Sequence, residues 1–335
     1  MSTGQKDDKE DPKPAKMAAV TVISNPLAKD KVFLFQSGAV SNGLRVVPQS
    51  LLDFASKEPL GPKDASSVVR PITKPGQLVS MVFRDSINVY GITGKEQKDY
   101  QVELLSPVQS PVDSEGFQPV SGAIAGISNE KEGAEEKAWL YYIWNNNGTP
   151  AIGELTISNG PPIHIPLHVT DFNQSTKLYA VYDKEHDTRW VIYQSTNNEI
   201  NILNANKNDK KYVFSIDTTD DRAHPGTPLA AVILPSSKQL TDARIVVYFV
   251  GTGASKHLYS ANSKLAKQLY FDTPNEQPTV VEKENRRSVI TTAGLTAIVD
   301  EDHKEPRVVV FGLTDINTAE YAFNSFVHPV ASITS

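Results

Sequence analysis

Residues Ala138 to Ser158 read AWLYYIWNNNGTPAIGELTIS. A run of aromatic and β-branched side chains comes first, then Asn-Gly in a polar turn, then a second run of alternating character. Asn-Gly between two such runs is the strongest short-range hairpin signal, because both central residues of the favoured turn need positive φ. The stretch is therefore two antiparallel strands. A third run, IAGI at Ile124, precedes it, and PPIHIPLHV, ending at Val169, follows as a weaker fourth.

The same order repeats along the chain. Runs equivalent to AWLYYIW are KVFLFQ from Lys31, INVYGI from Ile87, RWVIYQ from Arg189, RIVVYFV from Arg244 and RVVVFGL from Arg307. With Leu34, Tyr90, Tyr141, Ile192, Val247 and Val310 aligned, the steps are 56, 51, 51, 55 and 63 residues. Each is preceded by a short run: MAAV at Met17, LVSM at Leu78, IAGI at Ile124, LYAV at Leu178, LAAV at Leu229 and LTAI at Leu295. Its third position is Ala19, Ser80, Gly126, Ala180, Ala231 or Ala297, small as a crowded central axis requires. A polar turn and a third strand follow, as in LRVVPQ, YQVELL, EINILNA, HLYSAN and EYAFNS.

Six such units predict an all-β fold, a six-bladed β-propeller with four-stranded blades, in which radial repetition protects the sheet edges. Sustained helical periodicity is absent. Segments 48–77 and 266–294, rich in Pro, Ser, Lys and Glu, are expected to be surface excursions between blades. Residues 1–16 are expected to form a disordered tail, and residues 17–335 a single propeller domain.

Composition narrows the chemistry. The 335 residues include no cysteine, which excludes disulfides, thiolate metal sites and cysteine nucleophiles. Thirty-three basic against 39 acidic residues give a net charge of -6, and no basic run offers nucleic acid a footprint. No run of about 18 apolar residues predicts a membrane span, and the polar N-terminus does not read as a secretory signal, so a cytoplasmic protein is expected. The acidic clusters DKEHD (Asp183 to Asp187) and DEDH (Asp300 to His303) lack the spacing of a calcium loop. No metal and no cofactor are expected. GTGASK, from Gly251, reads as a hairpin turn, since no helix follows it to complete a phosphate loop.

The order GTPLAAV (Gly226 to Val232), RIVVYFV, a Gly-rich turn and an outer strand resembles the fungal fucose-specific lectins. That resemblance implies sugar sites between neighbouring blades, each with an Arg from the second strand, a Glu from the third and an aromatic platform from the next blade. Here the Arg slot holds Val32, Asn88, Trp139, Trp190 and valines near Val246 and Val309, with Arg189 and Arg244 one or two residues away. The Glu slot holds Val46, Glu103 at a shifted spacing, Glu154, Ile202, Ser260 and a position near Ala322. None of the three tryptophans, Trp139, Trp144 and Trp190, falls in a fourth strand. The repeated lectin site is erased.

A lectin-like propeller without lectin residues is similar to the fungal hetero-Diels-Alderases of tropolonic sesquiterpene biosynthesis. This implies a pericyclase of secondary metabolism that joins a tropolone quinone methide to a humulene-type sesquiterpene. Such a reaction asks for two apolar partners held in one geometry, a hydrogen-bond donor on the quinone methide oxygen and an acid to expel hydroxide from the precursor alcohol. The catalytic candidates are Glu154, His164 and Tyr193. The substrate-binding candidates are Trp139, Tyr141, Trp190, Arg189 and Asn88. Strand alternation puts Trp139 and Tyr141 on one face and Tyr142 and Trp144 on the other. The expected partners are small apolar or aromatic substrates and a second copy of the chain, with the pocket between blades, in the central tunnel or between subunits. The alternative is a divergent carbohydrate-binding protein without catalysis, using Glu154, Glu103, Arg189 and Asn88; a protein-interaction platform is the third reading.

Overall fold

The computed structural model describes residues 19–37, 43–51, 63–66, 70–73, 75–112, 116–129, 131, 135–207, 213–216, 223–236, 242–252, 256–265, 279–281, 289, 293–300, 306–314 and 322–333. The expected tail, residues 1–16, lies outside them, as do residues 301–303 of the second acidic cluster.

The strands form six antiparallel sheets in chain order. The first holds β1 (Val20–Asn25), β2 (Ala28–Ser37), β3 (Leu44–Ser50) and β4 (Lys63–Ser66); the second holds β5 (Leu78–Phe83), β6 (Ser86–Thr93), β7 (Gln101–Ser106) and β8 (Ser110–Pro111). The third holds β9 (Pro119–Ser128), β10 (Ala138–Asn146), β11 (Thr149–Ile157) and β12 (Ile163–Val169); the fourth holds β13 (Tyr179–Asp183), β14 (Thr188–Gln194), β15 (Ile200–Asn204) and β16 (Val213–Ile216). The fifth holds β17 (Ala230–Leu234), β18 (Arg244–Val250), β19 (Leu258–Lys264) and β20 (Thr279–Val280). The sixth has three strands among the described residues, β21 (Leu295–Asp300), β22 (Arg307–Thr314) and β23 (Ala322–Pro329), followed by the short helix α1 (Val330–Ile333). The first strand of each sheet lies against the first strand of the next, and β21 lies against β1.

The opening stretch folds as read. Asn147 and Gly148 take φ of 51° and 87°, and β10 pairs with β11 from Asn146↔Thr149 to Ala138↔Ile157. Two other expectations need correction. Segments 48–77 and 266–294 are not plain excursions, because they contain β4 and β20, the outer strands of their blades. The small-residue position is not one geometric column either. Gly126, Ala180 and Ser80 face Leu140, Val191 and Val89, whereas Ala231 and Ala297 face Val247 and Val310, one step along the aligned positions. Ala19 precedes β1, where Val22 faces Leu34. At Gly126 packing within and between blades leaves no room for a side chain: a Cβ would meet Leu140 Cδ2 of its own blade at 2.7 Å, and Met81 Cε and Val79 Cγ1 of the second blade at 2.8 Å and 2.9 Å.

The apolar cores lie between neighbouring blades, and each second strand serves two of them. On β10, Trp139, Tyr141 and Ile143 pack with Val191, Tyr193 and Leu203 of the fourth blade. Its other face packs Leu140, Tyr142 and Trp144 with Val79, Tyr90 and Val102 of the second. Two buried glutamines tie the blades where the inner strands begin. Gln77 Nε2 donates to the Leu178 carbonyl at 2.8 Å, and the Leu178 N–H donates to Gln77 Oε1 at 2.9 Å. Gln194 Oε1 accepts from the Gly226 N–H at 2.7 Å, and its amide donates to the His224 carbonyl at 3.1 Å. Among the described residues no helix is long and apolar enough to cross a membrane.

Candidate functional site

Between the third and fourth blades the structure brings together Trp139, Tyr141, Glu154 and Arg189. Tyr141 and Glu154 face each other across β10 and β11. Arg189, at the start of β14, reaches back so that Nη1 donates to Glu154 Oε1 at 3.1 Å while its guanidinium carbon sits 4.7 Å from the centre of the Trp139 ring. Asn206 Oδ1 fixes the arginine further, accepting from its backbone N–H at 2.9 Å and from Nε at 3.2 Å. The Tyr182 ring stacks beside Trp139 at 5.9 Å, and its hydroxyl donates to Asp187. Sequence reasoning misses Tyr182 and Asn206, which enter from β13 and from a turn of the fourth blade, and reads Asp187 only as part of an acidic cluster.

Burial dominates this cluster. The Glu154 side chain is 1% exposed; desolvation raises its pKa, and the Arg189 guanidinium opposes that rise. The Tyr141 hydroxyl is pushed well above its ordinary range by burial and then by the Glu154 charge. The two groups couple electrostatically, yet the hydroxyl falls short of hydrogen-bond geometry: Tyr141 Oη and Glu154 Oε2 are both buried without a hydrogen-bond partner. Arg189 thus covers one face of Trp139 and takes one oxygen of the Glu154 carboxylate.

His164 lies on the other side of the sheet. Its ring stacks on Phe117 at 3.5 Å and meets Trp144 edge-on at 4.9 Å and Tyr142 edge-on at 5.7 Å. Gly153 makes this possible, since a Cβ there would come within 2.7 Å of both His164 Nε2 and Trp144 Cδ1. Neither ring nitrogen has a hydrogen-bond partner, and burial lowers the imidazole pKa to about 4. His164 is a neutral ring in an aromatic box.

The other candidates are dispersed. Tyr193 faces the third blade, where its hydroxyl accepts from Asn201 Nδ2 at 3.3 Å; burial raises its pKa. Trp190 faces the fifth blade, packed with Ile245 and Val247. Asn88 serves a tight turn, donating to the carbonyls of Phe83 at 2.7 Å and Ser86 at 3.0 Å. The catalytic candidates Glu154, His164 and Tyr193 therefore do not converge: Glu154 and Tyr193 have separate polar partners in the third-to-fourth-blade interface, and His164 lies on the opposite face of the third sheet. In the first acidic cluster, Asp183 accepts from the N–H groups of Glu185 and His186 and pairs with His186 Nδ1 at 2.7 Å, which closes a turn.

The roomy space is axial. A cavity of about 680 Å³ runs along the inner strands, walled by Val22, Val79, Ile124 and Ile298 among other apolar side chains. Its size falls in the range of small-molecule sites. Polar side chains share the wall, among them Thr21, Ser24, Gln77, Ser80, Ser128 and Lys184. Thr21 Oγ1 and Ser80 Oγ share a hydrogen bond of 2.8 Å, and Ser80 Oγ also donates to the Val22 carbonyl at 3.1 Å. Tyr179 bonds to Thr296 and to the Ala297 backbone; burial nevertheless raises its pKa, so its phenol stays protonated. The cavity extends from the Gln77–Leu178 clasp to Ser24, Ser128 and Lys184 at the far ends of the strands.

No family model and no curated protein matches the chain. Solved structures do. The fucose-specific lectin from Aleuria aurantia superimposes with a TM-score of 0.55 at 14% identity, covering 93% of this chain and 96% of the lectin. AofleA from Arthrobotrys oligospora gives 0.55 at 10% identity, covering 92% and 88%. The chain is a six-bladed β-propeller. A Trypanosoma rangeli sialidase also aligns, with a TM-score of 0.56 at 6% identity, over 94% of this chain and 54% of the sialidase. At these identities the likeness is one of fold.

Proposed function

We propose that this propeller works on small apolar molecules held in its axial cavity, as a pericyclase that joins a tropolone quinone methide to a humulene-type sesquiterpene by an intermolecular hetero-Diels-Alder reaction. The observation that supports it is the 680 Å³ cavity with mostly aliphatic walls, in a fold whose cleft at Trp139 is filled by Arg189. The addition makes one C–C and one C–O bond from the C=C–C=O unit of the quinone methide and a C=C bond of the terpene, and it releases nothing. The protein's task is to exclude water and hold both partners at reacting distance, which offsets the entropy of bringing them together. Tyr179, neutral because it is buried, supplies a hydroxyl that can donate to the quinone methide oxygen.

The test is to incubate the protein with a humulene-type alcohol and a quinone methide generated from its precursor alcohol. The expected result is a faster reaction and one dominant stereoisomer. Tyr179→Phe should lower the rate by about 10- to 100-fold at unchanged stereochemistry, in line with loss of one donor. A product mixture identical to that in buffer overturns the proposal.

Carbohydrate binding is the second reading. It is favoured by the shared fold with a fucose-specific lectin and by Glu154, which stands in the slot of the lectin glutamate. Saturable binding of α-methyl fucoside, lost in Glu154→Gln, would replace the first reading with this one.

A further inference from the structure

On the far side of the Gln77–Leu178 clasp from the axial cavity lies a second, smaller pocket of about 170 Å³. Pro75, Gly122, Lys177, His224, Pro225 and Gly226 wall it, Gly122 from β9 and the others from segments that lead into inner strands. Its frame is built from buried hydrogen bonds. Gln194 holds Gly226 and the His224 carbonyl, and Thr176 Oγ1 accepts from the Gln194 N–H at 2.8 Å. The Gln77 N–H donates to the Gly122 carbonyl at 3.0 Å. Gly226 has a φ of 68°, and a Cβ there would press on Ser175 Oγ at 2.8 Å. The walls are close-set and held in place.

Lys177 is 8% exposed in this frame, and among the described residues its side chain has neither an ion pair nor a hydrogen bond. A lysine ammonium taken out of water without a partner is costly, and the neutral amine is favoured in its place. Burial accordingly lowers the Lys177 pKa to about 8, so a sizeable fraction is unprotonated near neutrality. Desolvated lysines of this kind are nucleophiles toward carbonyl carbon.

We propose that Lys177 is a carbonyl-reactive amine and that the smaller pocket around it admits small, uncharged aldehydes, which condense there to an imine. The Lys177 Nζ lone pair attacks the carbonyl carbon, a C–N bond forms, and the C=O π electrons move to oxygen, which takes a proton as Nζ loses one. Loss of that oxygen as water then gives the C=N bond. No oxidant or reductant is consumed, and the reverse reaction is hydrolysis.

The test traps the imine by mass. The full-length protein is treated briefly with propanal and sodium cyanoborohydride at pH 7.5, which reduces the C=N bond to a stable propylamine, and each lysine is then quantified after digestion. Lys177 should be propylated at least tenfold faster than the exposed Lys98. In urea-unfolded protein that preference should vanish, and in Lys177→Met the fast-labelling phase should be lost. Labelling of Lys177 no faster than Lys98 in the folded protein overturns the proposal, and so does a preference that survives unfolding. Because the clasp separates this pocket from the axial cavity, Tyr179→Phe should leave the Lys177 labelling rate unchanged; that readout is separate from the cycloaddition assay.

Discussion

The cleft between the third and fourth blades and the axial cavity draw on the same strands yet end in opposite states. β13 gives Tyr182 to the first and Tyr179 to the second. In the cleft Arg189 is bonded to Glu154 Oε1 and laid over Trp139, so a side chain of the next blade fills the space beside them, and Tyr141 Oη and Glu154 Oε2 are left buried without a hydrogen bond. Along the axis hydroxyls stand at aliphatic walls around open volume. Residue type alone does not make a binding site: an arginine, a glutamate and a tryptophan together can also be packing. What separates the two regions is space: Arg189 fills the cleft, whereas the inner strands enclose a volume of about 680 Å³.

Breaking the cleft should cost stability and spare the axis. Arg189→Met leaves the Glu154 carboxylate buried without its cation, so urea unfolding should show a loss of about 3–5 kcal/mol. The cycloaddition rate per folded molecule should not change. A variant that keeps wild-type stability would mean the pair is solvated and the cleft is open to ligands.

The axial end holds the opposite kind of charge, one with no partner. Lys177→Met removes an amine whose pKa falls from 10.5 to about 8 on folding. Below pH 8 the wild type bears the whole deficit, and its stability rises as pH climbs from 8 toward 10.5, where the unfolded chain gives up its proton too. At pH 7 the variant should be more stable by about 2–3 kcal/mol. Equal stability at pH 7 would place the ammonium in water.

The smallest effect concerns two histidines with desolvated rings. His164 in its aromatic box and His328, bonded to the Tyr248 hydroxyl at 3.1 Å, both have pKa values lowered to about 4 by burial. Below pH 6.5 the unfolded chain takes up protons that the folded protein refuses, so unfolding free energy should fall as pH drops from 6.5 toward 4 and level off beneath it. His164→Phe should remove about 1 kcal/mol of that slope, read from urea titrations at pH 4.5 and 7.5. An unchanged slope would mean that His164 is protonated freely in the folded state.

Much of this architecture is written in the sequence because hairpin signals such as Asn147-Gly148 and the repeated β-branched runs act locally. The outer strands β4 and β20 escaped that reading, since they are short and sit in segments whose Pro, Lys and Glu content suits a surface edge. In the cleft, Trp139, Tyr141, Glu154 and Arg189 were legible as candidates by residue type. Their mutual engagement was not, because Arg189 crosses to the preceding blade. Lys177 left no signal: it stands beside an ordinary strand start, and its burial comes from β9 around Gly122 and the turn at Gly226, which are distant in the chain.

A crystal soaked with a humulene-type alcohol puts the choice between cleft and axis directly. The ligand should lie in the axial cavity against Tyr179, with the Arg189–Glu154 bond intact. Density between Trp139 and a displaced Arg189, with the axial cavity empty, would contradict the proposed site.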